Sequence, residues 1–474
     1  MTSSPLKLPF ALDDYLVTWD LPTDTGETFL AHGALTLSSG QPPKGSAHGE
    51  FPHIAAQLKS GGAGFPQYVD VPQLVGRLSS GGHVLLVNAR VTYWFDSQAM
   101  IDAAAALLTL ADVTADEPVE FQGLEIQIGG LDAVAGVSPI KQTTFPRAGA
   151  GTWSAELSEE RSQSWADDVA KLSLDFDGSF RTFDPFSFRM GFSPVIRVEF
   201  ERGMLFGALL DDWVEPIRKV VSIATGRAEP LTCAVLKLSD IEGYDRSLQV
   251  FGSGITQAPY ESRLDDVREV NSPLSLKTDE VSLLDIVRRW QSMSEKHHPL
   301  VETYGTMLHA RDQHPRSRFL LLLQAIEGTH GYGTKSSFDR RTTKHQATRN
   351  DLIEAAAAVL DKSQLKFLER NLGKYPPAGL TAAMSWLAKR LPGDLYKQLD
   401  DKALIVEAKS APINATSTAD SLRIIRNDLA HGTKGYDAHQ LNQVVKVLEL
   451  MVRAHALQLL GCPKTVINRL VESR

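Results

Sequence analysis

His83-Val-Leu-Leu-Val-Asn-Ala-Arg-Val-Thr-Tyr-Trp-Phe95 decides how the front of the chain folds. β-Branched and aromatic residues crowd it, as they do a pleated, half-buried surface, so it reads as a strand. Downstream, Val119-Glu-Phe-Gln-Gly-Leu-Glu-Ile-Gln-Ile128 alternates with period two and stops at Gly129-Gly130, the pattern of a strand with one wet face. Upstream, Leu16-Val-Thr-Trp19 and Phe29-Leu-Ala-His-Gly-Ala-Leu-Thr-Leu37 are β-prone, and 38–46 is a Gly/Pro/Ser loop. Further strands are expected at Leu172–Phe176 and Ser193–Glu201. No repeat period emerges. The front reads as a β-rich sandwich or barrel-like domain.

The pattern changes at Leu205. Residues 205–226 carry helical spacing, with a bend expected at Pro216 and a stop at Gly226. Leu231–Leu238 and Ser247–Phe251 return to strand. From Asp279 the chain reads as helices: Val281–Lys296, Arg316–Gly328, Thr348–Leu360, Gln364–Leu372, Gly379–Leu391 and His439–Leu460. The expected class is α+β, with a β-rich domain over 1–265, including the helix near 205–226, and an all-α bundle over 275–474.

A chain of 474 residues with 43% hydrophobic and 22% charged content is ordinary for a globular protein of more than one domain. Cys233 and Cys462 stand alone with no CxxC, which fits a reducing compartment and argues against a disulfide framework or a thiolate zinc site. The N-terminus lacks the apolar core of a signal peptide, and the apolar run Ala103–Ala111, bounded by Asp102 and Asp112, is too short to span a bilayer. A cytoplasmic protein without a membrane partner is expected. The net charge of −8 conceals an asymmetry: residues 1–274 hold 20 basic against 36 acidic residues, whereas 275–474 hold 29 against 21 and 9 of the 13 histidines. Only the second half suits a polyanion.

Within that half, Ser421-Leu-Arg-Ile-Ile-Arg426-Asn427-Asp428-Leu429-Ala430-His431-Gly432 reads as a helix that ends on a glycine C-cap, with Asp420 or Ser421 as its N-cap. Arg426 and His431 are about 140° apart around the axis. That is poor spacing for two ligands of one metal, but it suits a phosphodiester held at the helix end. Glu327 stands among Leu and Ile residues on a strongly apolar helix, where a buried carboxylate needs a partner and Arg426 is a candidate, a plain surface position being the alternative. Lys335, Arg340, Arg341, Lys344, His345 and Arg349 form the densest basic segment, read as a flexible loop able to grip RNA phosphates or simply as a solvated charge run.

Other constellations carry less. His297, His298, His309 and His314 lie between expected helices without the companions a metal site needs. His330 ends the 318–328 helix, where its positive form suits the dipole. Glu407 and Lys409, with Asp394 upstream, mimic a metal-nuclease E-x-K, but their flanks are helical. No P-loop, G-x-S-x-G or Rossmann glycine pattern is present. No metal and no cofactor is called for.

Arg426-Asn427-Asp428-Leu429-Ala430-His431 resembles the Arg-x4–6-His signature of HEPN domains, with a polar residue directly after the arginine. The helix carrying Glu327 and the long helix after the motif are similar to the surrounding HEPN bundle. The layout as a whole, an acidic β-rich front before such a bundle, is similar to the ApeA family of bacterial anti-phage proteins.

The resemblance implies a metal-independent endoribonuclease of an abortive-infection system, acting on RNA, with tRNA as one candidate. It implies a homodimer or higher oligomer through the HEPN domain, so that two motifs make one composite site. His431 would act in proton transfer and Arg426 on the non-bridging oxygens. Asn427 would orient the phosphate or the histidine, and Glu327 and Asp428 would support the site. A 2′,3′-cyclic phosphate would be the product, a phage-encoded molecule the trigger, and the β-rich domain the sensor or restraint. The alternative is a HEPN-like bundle that dimerises or binds RNA without turnover.

Overall fold

The computed structural model describes residues 6–22, 28–59, 64–95, 97–113, 118–145, 153–181, 189–238, 246–309, 313–375, 379–410 and 415–472. A β-barrel and sheet domain over 14–255 is followed by an all-helical region over 264–472. The chain divides into two compact units, one of residues 1–225 and 229–287 and one of 226–228 and 288–474.

The first unit branches at a single strand. Gly82–Trp94 pairs along one side with Gln67–Leu78. On its other side, residues 83–87 pair with Ala105–Thr109, and residues 90–94 pair with Gln98–Asp102. Asn88 stands between these two pairings with φ 51°, a left-handed conformation that asparagine tolerates better than most residues. The second half of the strand closes a ring of antiparallel strands: Gly82–Trp94, Gln67–Leu78, Asp14–Pro22, Thr28–Thr36, Lys44–His48, Gln98–Asp102 and back to Gly82–Trp94.

Trp19, Leu21, Leu35, Leu74, Leu86, Val91, Tyr93 and Ile101 belong to the core of this ring, and Phe51 and Ile54 join them from the Pro52–Lys59 helix and the residue before it. Closure requires glycine where backbones or rings meet. A Cβ on Gly33 would lie 1.8 Å from the Ser46 carbonyl oxygen, and one on Gly76 would lie 2.7 Å from the Trp19 ring.

The first half of the branching strand begins the open part of the 13-stranded sheet. From Ala105–Thr109 it runs through Ser247–Gly252, Leu231–Lys237, Glu120–Ile128, Arg189–Leu205 and Ala170–Arg181 to Ser162–Ala166. Arg197 ties three of these strands together through Glu125 at 2.9 Å, Asp175 at 3.2 Å and Asp177 at 2.6 Å. Burial opposes its charge, yet the hydrogen bond to Asp177 and the carboxylates around it raise the guanidinium's pKa.

The expected 205–226 helix is wound differently from the sequence reading. Leu210–Val214 forms a π-turn, and Pro216 sits in the first turn of Glu215–Thr225, where its missing N–H costs little. The distortion therefore precedes the proline rather than centring on it.

In the helical unit, Phe319, Leu322, Leu323 and Ile326 of Pro315–Gly333 face the core with Val444, Val445, Leu448 and Met451 of Ala438–Leu459. Arg318 of the first pairs with Glu449 of the second. Helices at Pro299–His309, Gly393–Asp400, Ala403–Ser410 and Lys464–Glu472 add to those expected.

The largest correction is the basic segment. Residues 335–349 are not a loop but part of a 23-residue helix, Lys335–Ala357, none of whose residues is buried. A helix that is polar on every side has no 3.6-residue apolar signal to read. Among the described residues, no helix is long and apolar enough to cross a membrane.

Candidate active site

The motif lies on the helix Thr418–His431. The N-cap is Ser417, whose hydroxyl accepts from the Asp420 amide at 3.1 Å, so Asp420 and Ser421 lie inside the helix rather than capping it. Asp420 instead gathers the hydroxyls of Thr416 (2.6 Å) and Ser417 (2.8 Å), and these bonds lower its pKa. Gly432 ends the helix in the left-handed conformation, φ 70° and ψ 21°, as its position predicts. Leu422, Ile425 and Leu429 form the buried stripe, which leaves Arg426 on its flank and His431 exposed.

Arg426 is held from another helix. Its Nη2 donates to Glu327 Oε2 at 3.2 Å, and its Nη1 donates to Asn427 Oδ1 at 3.4 Å. The Arg426 side chain is 43% exposed and that of Glu327 is 29% exposed. A pair this wet contributes only ~0–1 kcal/mol to stability. Its consequence is orientation: one edge of the guanidinium is fixed, while the rest of its five donors stay available.

Asn427 and His431 are four residues apart and share a helix face, with Arg426 one step around the axis. Arginine, amide and imidazole therefore neighbour one another along the last turn and a half. The His431 imidazole makes no hydrogen bond among the described residues.

Asp428 faces the turn that follows the helix. It accepts from Tyr436 Oη at 2.5 Å and from Thr433 Oγ1 at 2.8 Å. The Tyr436 bond chiefly, with Thr433 and the nearby Lys434, lowers the carboxyl's pKa. Asp428 thus braces the chain beyond Gly432. Arg316, in the first turn of Pro315–Gly333, donates to the carbonyl of Leu429. A cation there satisfies an orphan carbonyl and meets the negative end of the helix. Sequence reasoning missed Arg316 and Tyr436, because each acts on a group distant in the chain or without a periodic pattern.

The basic residues divide into two groups. Lys335, Arg340, Arg341 and Lys344 are exposed along their helix. Arg349 instead donates to the carbonyls of Leu372 (3.0 Å) and Glu369 (2.8 Å), and His345 Nε2 lies 2.9 Å from the Gly373 carbonyl. These two fasten the Lys362–Asn371 helix.

The remaining histidines do not converge. His314 N-caps Pro315–Gly333, its Nδ1 accepting from the Arg316 amide at 3.2 Å. His298 is buried against Tyr332. His297 sits at φ 50° beyond the Leu283–Glu295 helix, and the His309 side chain lies outside the described residues. His330 falls inside its helix, which runs on to Gly333, and burial with Arg341 and Arg390 lowers its pKa, contrary to the positive form the sequence reading favoured. Lys409 binds Asp400, Glu407 lies 3.8 Å from Lys434, and Asp394 opens a separate helix. The E-x-K carboxylates therefore do not sit on adjacent strands.

This end of the bundle therefore presents a part-exposed guanidinium and an exposed imidazole at one helix end. Comparison with known proteins bears on the other end of the chain. The family model described as ApeA N-terminal domain 1 matches residues 14–290, leaving the motif helix outside the matched span. No curated protein and no solved structure matches the chain.

Proposed function

We propose, from the premise that the chain belongs to the ApeA family, that it is an anti-phage defence protein whose helical unit is a metal-independent endoribonuclease. The observation that carries the reading is the Glu327–Arg426–Asn427 chain of hydrogen bonds, which orients a half-exposed guanidinium about a turn and a half from an exposed histidine. Glu327 was expected to need an arginine, and Arg426 is its partner.

In the proposed reaction, an imidazole takes the proton of the ribose 2′-OH, whose oxygen attacks the adjacent phosphorus. The bond to the 5′-oxygen breaks, and a proton delivered to that oxygen completes a 2′,3′-cyclic phosphate and a free 5′-hydroxyl. Arg426 stabilises charge on the non-bridging oxygens, a task suited to a planar fork of donors. Base and acid stand on opposite sides of phosphorus. One helix end supplies one imidazole, so the reading places a second copy of the motif across the phosphate in a dimer. Lys335, Arg340, Arg341 and Lys344 take up the RNA backbone. The β-barrel and sheet domain senses the infection or restrains the bundle.

Total cellular RNA, with tRNA as one candidate substrate, tests the reading. Wild type and Arg426→Ala are incubated with it, with and without phage infection, and the cut ends are mapped. Cuts made by wild type alone are the expected outcome. Equal cutting by both proteins would exclude Arg426 from the chemistry, and RNA binding without cuts would favour a non-catalytic bundle.

A further inference from the structure

Two successive helices of the helical unit, Lys335–Ala357 and Lys362–Asn371, bury none of their residues. Helices of this kind are weakly stable alone, because helical stability in proteins comes mostly from packing an apolar face. These two are joined instead by polar ties, from Arg349 and His345 to the carbonyls that end the shorter helix. Asp361 starts that shorter helix with a capping box closed by Gln364. The pair is thus assembled without a core of its own, and its surface is free for a partner.

That surface carries eight lysines and arginines against five exposed carboxylates, a net positive charge, together with exposed aromatic rings. On the shorter helix Lys362, Lys366 and Arg370 recur at intervals of four, all exposed, and Lys374 continues the spacing beyond the helix end. Residues four apart share a face, rise about 6 Å and drift about 40° around the axis, so Lys362, Lys366 and Arg370 form a row that winds gently along one side of the helix. On the longer helix Arg340 and Lys344 make a second such pair. Among the cations of the shorter helix stands Phe367, 69% exposed, and next to Lys374 stands Tyr375, 62% exposed. Exposed aromatic rings between cations offer stacking surfaces for unpaired bases beside contacts for phosphates. The longer helix begins close to the proposed active site and runs 23 residues, about 34 Å, before the shorter helix folds back against Arg349. Glu327, which holds Arg426, is six residues and about 9 Å before Gly333 along the same helix, and Lys335 follows at once.

From this placement we infer that the Lys335–Asn371 helix pair is a substrate arm for RNA that combines a stem with an unpaired loop. The Lys362/Lys366/Arg370 row takes the phosphates, and Phe367 stacks on a loop base. The inference rests on the ribonuclease reading for what happens to the RNA afterwards, but its binding test is independent of cleavage.

The probe is a labelled RNA stem-loop, compared with a blunt RNA duplex of equal length. Both are titrated with the full-length His431→Ala protein at several salt concentrations. Adding Lys362→Gln, Lys366→Gln and Arg370→Gln together should weaken binding of both RNAs and lower the slope of log K against log salt by roughly two to three, about one per lost phosphate contact. Adding Phe367→Ala alone should weaken the stem-loop roughly tenfold or more and leave the duplex unchanged. Circular dichroism of each variant verifies that the helices persist.

An unchanged salt slope in the triple variant would overturn the inference. So would a change in sedimentation without a change in RNA binding, which would mark the pair as a contact between copies of the chain. Arm-dependent binding by a wild-type protein that cuts no RNA would leave this inference standing and remove the ribonuclease reading instead.

Discussion

Replacing Glu327 with Ala separates orientation from stability. The pair with Arg426 is 3.2 Å long, with side chains 43% and 29% exposed, so breaking it should cost the fold only ~0.5 kcal/mol. The catalytic cost should be far larger. If Arg426 stabilises the transition state as oxyanion-hole donors do, its removal costs about 10²–10³ in rate. A guanidinium freed to wander by about 1 Å should lose roughly 10²-fold. Single-turnover cleavage of a defined RNA measures the rate, and urea denaturation measures the stability.

The cycle with Arg426→Ala is the stricter part of this test. Glu327 is argued to act only through Arg426, so Glu327→Ala should cause no further loss in the Arg426→Ala background. Additive losses would refute the reasoning, because they would give Glu327 a role of its own. Destabilisation by 3 kcal/mol or more would refute it too, by making the pair a structural ion pair.

Other parts of the account can be tested through stability. Tyr436→Phe removes the strongest partner of Asp428 and should cost about 1–2 kcal/mol at neutral pH. Asp428 has a lowered folded pKa, so that difference should be full above the ordinary carboxylate range and fade as pH falls through the folded value, which urea melts at pH 7 and pH 3 would resolve. His455, buried against Trp386, has its pKa lowered by burial from 6.5 to about 4. Between those values the unfolded chain binds a proton that the folded chain refuses, so stability should fall by about 1.4 kcal/mol per pH unit below pH 6.5, and His455→Phe should remove that part of the slope. Gly33→Ala forces a Cβ to within 1.8 Å of the Ser46 oxygen and should destabilise the barrel by about 3 kcal/mol or more, read from the unfolding transition of the first unit.

Particular residues explain what could be read from the chain alone. The strand at 83–95 was legible because β-branched and aromatic side chains mark a pleated surface wherever they fall. The closure of the ring was not, because it depends on Gln98–Asp102 pairing with both Gly82–Trp94 and Lys44–His48, a non-local choice. Asn88 carries the turn between partners, and a single asparagine inside a strand gives little warning of it.

At the candidate site, the Glu327–Arg426 pair was legible because a carboxylate on an apolar helix draws a cation, although Glu327 is 29% exposed and burial does not force the pairing. Gly432 was legible for its conformation. Arg316 and Tyr436 were not, since one caps a carbonyl 113 residues away and the other answers a carboxylate across a turn. Residues 335–349 read as a loop in the sequence because a helix without a buried face shows no 3.6-residue period.

The most direct test of the central claim is the chemistry of the cut. Purified wild type and His431→Ala are given the same RNA in EDTA, and the new 3′ ends are identified. The account predicts 2′,3′-cyclic phosphate ends from wild type, no cut in His431→Ala, and no cut where the ribose at the cleavage site is replaced by deoxyribose. Equal cleavage by His431→Ala, or cleavage abolished by EDTA, would contradict it.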